Sequence, residues 1–191
     1  MKKNITIVGA GLVGSLCALY LNKRGYKVKV MEKRKDLRSK VITAGKSINL
    51  ALSERGWTAL KKIGIDQEVM KIAIPMYKRI MHDEKGNLTE QAYGNDGQAI
   101  YSVSRAELNV LMMEMAEKCG VILEFNQKCI DVNFENITSY FENTITKKKQ
   151  KIKSDCIIGA DGAFSEIRKQ MVQQKNHKYH YNEIDHDYKE L

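Results

Sequence analysis

The sequence predicts an α/β fold, with a parallel sheet accompanied by the partial antiparallel sheet of a second unit. Short apolar runs next to glycine, at residues 5–8 and 156–159, are typical of buried parallel strands. Residues 5–32 form a strand–helix–strand pattern, which implies parallel strands joined by a right-handed crossover. Residues 75–101 instead alternate polar and apolar side chains around turn residues, as antiparallel strands do.

The other elements follow from capping and turn residues. Helices are predicted over 14–24 and over 54–63, the second ended by Gly64. Ser104 and Glu107 form a capping box that opens a helix. We expect one apolar face on that helix, made of Leu108, Leu111, Met112, Met115 and Cys119. Strands are predicted over 27–32, 121–125, 129–134 and 137–141 and in the lysine-rich stretch that follows, and a last helix over 165–172.

Length and composition fit a soluble globular protein of one domain, or one domain and part of a second. The chain has 191 residues, of which 43% are hydrophobic and 29% charged. No apolar run approaches the roughly 20 residues that a membrane-spanning helix needs. The four cysteines are scattered and form no CxxC pair, which argues against a zinc site or a disulfide framework. We expect each to be a small core residue, and the protein to be cytoplasmic.

The net charge of +9 raises nucleic-acid binding as an alternative. Much of the excess lies at 147–151, between two predicted strands, where a solvated hairpin turn is expected. No aromatic residues interleave with these lysines to stack bases. The sequence therefore predicts no nucleic-acid partner, and it leaves the oligomeric state open.

A glycine motif follows the first strand and opens the first helix. Gly9 permits a tight turn, Gly11 lets backbone approach a pyrophosphate, and Gly14 allows close packing of the strand and the helix. Glu32 ends the next strand, where a carboxylate can accept hydrogen bonds from ribose hydroxyls. The sequence therefore predicts a Rossmann-like site for an adenine dinucleotide. These features do not decide between FAD and NAD.

Residues 156–168 resemble the DG motif of the single-component FAD-dependent aromatic hydroxylases, in which the turn formed here by Asp161 and Gly162 lies near FAD and the nicotinamide cofactor. The alternative for this segment is a strand–turn–helix junction capped by Ser165. Three further runs, at 45–56, at 74–79 followed by His82, and at 101–109, resemble the kynurenine 3-monooxygenases within that superfamily. The resemblance covers essentially the whole chain.

This resemblance implies a cofactor site for FAD. Glu32 would hold the ribose, with Arg34 nearby, and Val13 would lie beside the pyrophosphate. Ala51 and Arg105 would contact the cofactor, and the strand that carries Cys129 would pass the adenine. The implied cofactor residues are Gly9, Gly11, Val13, Gly14, Glu32, Arg34, Ala51, Arg105, Cys129, Asp161 and Gly162.

The resemblance also implies a substrate site. Arg79 would pair with the amino-acid carboxylate of kynurenine, and Tyr93 would line the same pocket. Alternation along 76–82 places Tyr77, Arg79 and Met81 on one face. Spacing alone would make Arg79 a solvated strand residue.

The implied reaction is the hydroxylation of L-kynurenine to 3-hydroxykynurenine with NADPH and dioxygen. It requires no catalytic side chain and no metal of the protein, because the flavin performs the difficult chemistry. The alternatives are a hydroxylase of another anionic aromatic compound and a non-catalytic FAD-binding fragment.

The expected organisation is an FAD-binding domain at 1–73 and 102–175, with part of a substrate-domain sheet at 74–101 and 176–191. Family members continue beyond the position of residue 191, so the chain alone is expected to be inactive.

Overall fold

The computed structural model describes residues 2–39, 49–174 and 179–185. In chain order the elements are β1 (Asn4–Val8), α1 (Leu12–Lys23), β2 (Lys27–Met31), a short 3-10 helix (Leu37–Ser39), β3 (Asn49–Leu52), α2 (Glu54–Ile63), α3 (Asp66–Met70), β4 (Ile74–Met76), β5 (Lys78–His82), β6 (Leu88–Ala92), β7 (Ile100–Ser104), α4 (Arg105–Lys118), β8 (Ile122–Glu124), β9 (Gln127–Asn133), β10 (Thr138–Asn143), β11 (Lys149–Lys153), β12 (Cys156–Gly159) and α5 (Glu166–Val172).

The predicted parallel sheet is confirmed. It has four strands in the order β12-β1-β2-β8, and every pairing in it is parallel. Ile7 lies between Ile158 of β12 and Val30 of β2. Because the strands are parallel, their carboxyl ends meet at one edge of the sheet, and the loops that follow β1, β2 and β12 converge there.

Three antiparallel sheets accompany the parallel one. A meander has the order β11-β10-β9, a second sheet the order β3-β7-β4, and a two-stranded hairpin pairs β5 with β6. The predicted antiparallel strands within 74–101 are therefore present. They divide between two sheets, because β4 pairs with β7 whereas β5 and β6 pair only with each other among the described residues.

Two apolar clusters lie on opposite sides of the parallel sheet. The larger one packs α1, α2 and α4 against β1 and β2, and at its centre Ile7, Val30 and Met113 are buried. The smaller one lies between the parallel sheet, α5 and the meander, and includes Met31 and Phe141. The meander therefore covers the second face of the sheet, at the edge where the carboxyl ends of the strands meet.

The predicted apolar face of α4 is partly wrong. Its buried residues are Leu108, Asn109, Met112, Met113 and Ala116. Cys119 is the C-cap of the helix and is exposed, because it lies beyond the turns that pack on the core. Cys156, on the edge strand β12, is also exposed. The expectation that every cysteine is a core residue is therefore wrong for these two, whereas Cys129 is buried.

Three predicted helix ends are confirmed, whereas α1 begins at Leu12 rather than at residue 14. Gly64 ends α2 in the left-handed region, with φ of 81°. The Ser104 side chain accepts a hydrogen bond from the backbone N–H of Glu107 at 3.4 Å. Ser165 accepts one from the N–H of Arg168 at 3.0 Å, so the predicted capping of α5 is present. Among the described helices, none combines the length and the apolar character needed to cross a membrane.

Candidate functional site

A cleft of about 650 Å³ lies at the carboxyl edge of the parallel sheet. Its lining comes from the loops after β1, β2 and β12, from the start of α4 and from β9. The lining residues are Val8, Gly9, Gly11, Leu12, Val13, Met31, Glu32, Lys33, Arg34, Leu50, Arg105, Gln127, Lys128, Cys129, Ala160, Asp161, Gly162, Phe164 and Glu166.

The glycine loop forms one wall of this cleft, and close contacts explain two of its glycines. Gly9 has φ of +105°, and a Cβ there would lie 2.4 Å from the carbonyl oxygen of Ala160. A Cβ on Gly14 would lie 1.9 Å from the carbonyl oxygen of Gly9. Among the described residues, a Cβ on Gly11 would meet nothing within 4 Å, because that position faces the open cleft. Close contacts therefore explain glycine at positions 9 and 14, and Gly11 leaves its Cβ position open to the cleft.

The N-terminus of α1 faces the cleft. Gly11 is the N-cap, no side chain in the described part of the chain caps it, and the first turn contains no acidic residue. Leu12 and Val13, the first two helical residues, line the cleft. The first amide groups of a helix have no partner within the helix and carry a partial positive charge. This terminus is therefore suited to an anion such as a pyrophosphate.

Glu32 places a buried carboxylate at the end of β2, where it is only 5% exposed. One oxygen, Oε2, accepts a hydrogen bond from the backbone N–H of Ala10 at 2.8 Å. The other, Oε1, accepts from the backbone N–H of Arg34 at 2.9 Å and from Arg34 Nε at 2.8 Å. A carboxylate has about four acceptor positions, so the contacts with described residues leave one of them unused.

Glu32 is held in its charged form. Burial acts to raise the pKa of its carboxyl group, but the hydrogen bonds from Arg34 and Ala10 and the charge of Arg34 lower that pKa below its ordinary value. A charged acceptor forms stronger hydrogen bonds than a neutral one.

Arg38 fixes the segment that follows Glu32. Its guanidinium forms ion pairs with Asp36, at 2.7 Å, and with Glu117 at the end of α4. The same group lies over the ring of Phe125, 5.4 Å from the centroid. The backbone N–H of Asn126 also donates to the carbonyl of Arg34 at 3.0 Å. The segment that carries Arg34 is therefore attached to α4 and to the link between β8 and β9.

Asp161, in the turn after β12, uses its carboxylate to begin α5. Its oxygens accept hydrogen bonds from Ser165 Oγ at 2.6 Å and from the backbone N–H groups of Glu166 at 2.7 Å and Ile167 at 3.3 Å. Both Asp161 and Gly162 line the cleft. This turn therefore both begins α5 and borders the cleft.

Cys129 lies on the part of the cleft formed by the meander. Burial raises the pKa of its thiol to about 12, with a further contribution from Asp161 and Glu166. The side chain therefore stays a neutral thiol near neutral pH and acts as an apolar surface.

Nine of the eleven predicted cofactor residues line the cleft. Gly14 lies behind it, packed against Gly9, and Ala51 lies on the exposed side of β3. Its neighbour Leu50 lines the cleft instead, since successive residues of a strand point in opposite directions. Sequence reasoning gave no role to Lys33, Lys128 or the almost fully exposed Phe164, although each is next to a motif residue or inside a motif.

Arg79 and Tyr93, the predicted substrate residues, are not among the residues that line this cleft. They belong to the β5–β6 hairpin region, where Arg79 pairs with Gln91 and the N–H of Tyr93 donates to the carbonyl of Tyr77 at 2.9 Å. Since cross-strand partners share a face, Tyr77, Arg79, Gln91 and Tyr93 lie on one face of the hairpin. The predicted alternation along this strand is confirmed.

Comparison with known proteins identifies the class to which this fold and cleft belong. The family model described as "FAD binding domain" matches residues 2–187, and the chain belongs to that family. It is 44% identical over 190 residues to the kynurenine 3-monooxygenase of Christiangramia forsetii, a match that covers 100% of the chain and 42% of the relative. It is 39% identical over 190 residues to the enzyme of that name from Anopheles gambiae, covering 98% of the chain and 39% of the relative. The chain thus spans about two fifths of the length of these curated relatives.

Solved structures show the same fold. The flavin-dependent monooxygenase PieE, in complex with FAD and substrate, matches with a TM-score of 0.75 and 21% identity over 90% of the chain and 32% of its own. The p-nitrophenol 4-monooxygenase PnpA from Pseudomonas putida matches with a TM-score of 0.73 and 20% identity, over 89% of the chain and 43% of its own.

The residues of the cleft fit FAD. Three features of the cleft are those with which this type of fold binds a dinucleotide. They are the glycine position open to the cleft, the N-terminus of α1 and the charged carboxylate of Glu32.

Proposed function

We propose that this chain is the FAD-binding part of an NADPH-dependent monooxygenase that hydroxylates L-kynurenine to 3-hydroxykynurenine. The cleft at the carboxyl edge of the parallel sheet supports the cofactor, because it combines the open amides of α1 with the charged carboxylate of Glu32. The curated relatives from Christiangramia forsetii and Anopheles gambiae are both called kynurenine 3-monooxygenase, and this supports the substrate. We propose the same division into units as the sequence predicts. Of the substrate unit, the structure describes residues 74–101, which include the β5–β6 hairpin, and residues 179–185.

Within this proposal the chain holds FAD mainly by its ADP half. Glu32 accepts a hydrogen bond from the ribose with its remaining acceptor position, and Arg34 lies next to that contact. The amides of Gly11 and Val13 bind the pyrophosphate, and the strand that carries Cys129 supports the adenine.

The chain also supplies groups near the flavin side of the cleft. Arg105 extends from the start of α4, and the turn at Asp161 and Gly162 borders the same cleft. When bound, FAD supplies hydride acceptance from NADPH and the activation of dioxygen.

Arg79 is the proposed partner of the kynurenine carboxylate. Its Nε donates to Oε1 of Gln91 at 2.7 Å, and Nη2 donates to the same oxygen. A neutral amide orients the guanidinium but leaves its charge uncompensated, so the outer edge can bind a carboxylate in a bidentate manner. Tyr77 and Tyr93 lie on the same face and offer apolar surface for an aromatic ring.

Substitution of Arg79 tests this function in a protein that has the full length of the curated relatives. In Arg79→Met, the dissociation constant of kynurenine should rise by at least about thirtyfold, since truncating one side of a buried charged pair costs about 2–5 kcal/mol. The FAD content should not change. Lys78→Met is the matched control, because Lys78 precedes Arg79 on β5 but points to the other face and pairs with Glu90 at 2.6 Å.

Kynurenine binding and kynurenine-stimulated NADPH oxidation are the quantities to measure. Equal values for Arg79→Met and the parent would contradict the role of Arg79. Stimulation by another anionic aromatic compound, with none by kynurenine, would contradict the substrate and leave the cofactor assignment in place.

A further inference from the structure

The peptide that joins Ala10 to Gly11 is held by two buried side chains from different helices. The carbonyl oxygen of Ala10 accepts a hydrogen bond from Nδ2 of Asn109 at 3.1 Å and one from Oγ of Ser15 at 3.2 Å. Asn109 is 6% exposed and lies on α4, 99 residues further along the chain. Ser15 is fully buried in α1. Two donors therefore pull this carbonyl into the core, on the side away from the cleft.

The orientation of this carbonyl determines where an amide of the cleft points. A trans peptide is planar, so its C=O and N–H groups point in opposite directions. The N–H in the same plane as the Ala10 carbonyl belongs to Gly11, which lines the cleft and at which a Cβ would meet no described atom within 4 Å. With the carbonyl fixed inward, the Gly11 N–H is directed outward, into the cleft.

Asn109 is a polar residue on a buried face of α4 that is otherwise apolar. Leu108, Met112 and Met113, its neighbours on the buried face of α4, are apolar. A buried amide without a hydrogen bond costs free energy, and asparagine is a poor residue for the interior of a helix. The contact with Ala10 supplies a hydrogen bond that this buried amide needs.

We infer that Asn109 and Ser15 are positioning residues, which hold the Gly11 amide in the orientation that binds the pyrophosphate of FAD. This inference rests on the proposed FAD function. Without the two donors, the Ala10–Gly11 peptide rotates among several orientations, and only a fraction of the molecules presents the amide to the cleft. The apparent dissociation constant rises as the inverse of that fraction.

The test measures FAD binding to the 191-residue chain and to three variants. Asn109→Leu removes one donor, Ser15→Ala removes the other, and Met112→Ala is the control. Met112 is buried on the same face of α4 but has no polar contact with Ala10, so its truncation weakens the packing of the helix alone. Dissociation constants are measured by flavin fluorescence, unfolding temperatures by circular dichroism, and the environment of the pyrophosphate by 31P NMR of bound FAD.

We expect the dissociation constant of FAD to rise about tenfold in Asn109→Leu and about threefold in Ser15→Ala, with shifted 31P resonances in both. Met112→Ala should lower the unfolding temperature at least as much, yet keep the parent's affinity and 31P shifts. Parental affinity in Asn109→Leu would overturn the inference, and so would an equal loss of affinity in Met112→Ala. If Asn109→Leu does not fold, Ser15→Ala decides, and an unchanged affinity there overturns the inference. A parent chain that binds no FAD would overturn the proposed cofactor function, and this inference with it.

Discussion

The parallel sheet and the β5–β6 hairpin differ in how much of their surface the described chain covers. In β1 four of the five residues are buried, whereas every residue of β5 and β6 is exposed. The sheet is covered on both faces, by helices on one side and by the meander on the other. The hairpin is held by its own backbone and by cross-strand pairs such as Lys78 with Glu90.

This contrast separates the two halves of the proposed site. The residues that would bind the ADP half of FAD are fixed by buried contacts, such as that of Glu32 with Ala10. The residues that would bind the substrate lie on a two-stranded hairpin, a unit that is only marginally stable by itself. In the proposed site, the ADP half is therefore fixed by contacts within the described chain, whereas the proposed substrate residues lie on an exposed hairpin.

The largest expected difference between the two regions is in stability. Ile7→Ala should lower the free energy of unfolding by about 2–4 kcal/mol, because Ile7 is fully buried between two strands and its truncation leaves a cavity. Ile80→Ala, on the hairpin, should change it by less than about 0.5 kcal/mol, since that side chain is 56% exposed. Urea unfolding of both variants measures the difference, and similar losses would mean that the hairpin is buried in the folded chain.

A second difference concerns FAD affinity. Glu32→Gln should weaken FAD binding by about 1–3 kcal/mol, or one to two orders of magnitude, because it removes the charge from the hydrogen bonds to the ribose. Glu90→Gln is the matched control: it makes the same chemical change on the hairpin, where Glu90 contacts Lys78. Titration with FAD should give the parent's affinity for Glu90→Gln. A Glu32→Gln variant with that same affinity would remove Glu32 from the cofactor site.

The smallest effect is a pH dependence of stability. The pKa of Glu32 is lowered in the folded state, so its contribution is fully present above the unfolded value of about 4.3 and is lost as the pH falls through the lowered folded value. The stability of the parent should therefore decrease more steeply below about pH 4.3 than that of Glu32→Gln. Urea unfolding between about pH 3 and pH 7 measures the two slopes. Parallel slopes would show that Glu32 is not held in its charged form by these contacts.

Local patterns predict much of this molecule. The spacing of a few residues is enough to predict the glycine motif and Glu32 at the end of β2. The alternation of a strand predicts that Arg79 and Tyr77 share a face. The choice between Ala51 and Leu50 does not, because the pairing of Leu50 with Val103 decides which of them faces the cleft.

Such patterns do not predict contacts between residues that are far apart in the sequence. The hydrogen bond from Asn109 to Ala10 joins residues 99 positions apart, and no short motif contains both. The exposure of Cys119 depends likewise on where α4 leaves the core, which the periodicity of the helix alone does not determine.

Displacement of FAD by compounds that represent its two halves tests most directly whether the described chain forms the ADP half of the site. The 191-residue chain is loaded with FAD, and ADP or flavin mononucleotide is added while the flavin fluorescence is followed. We predict that ADP displaces FAD and that flavin mononucleotide does not. The reason is that the glycine loop and Glu32, which are held by buried contacts, would bind the pyrophosphate and the ribose of the ADP half. Displacement by flavin mononucleotide, with none by ADP, would contradict the account.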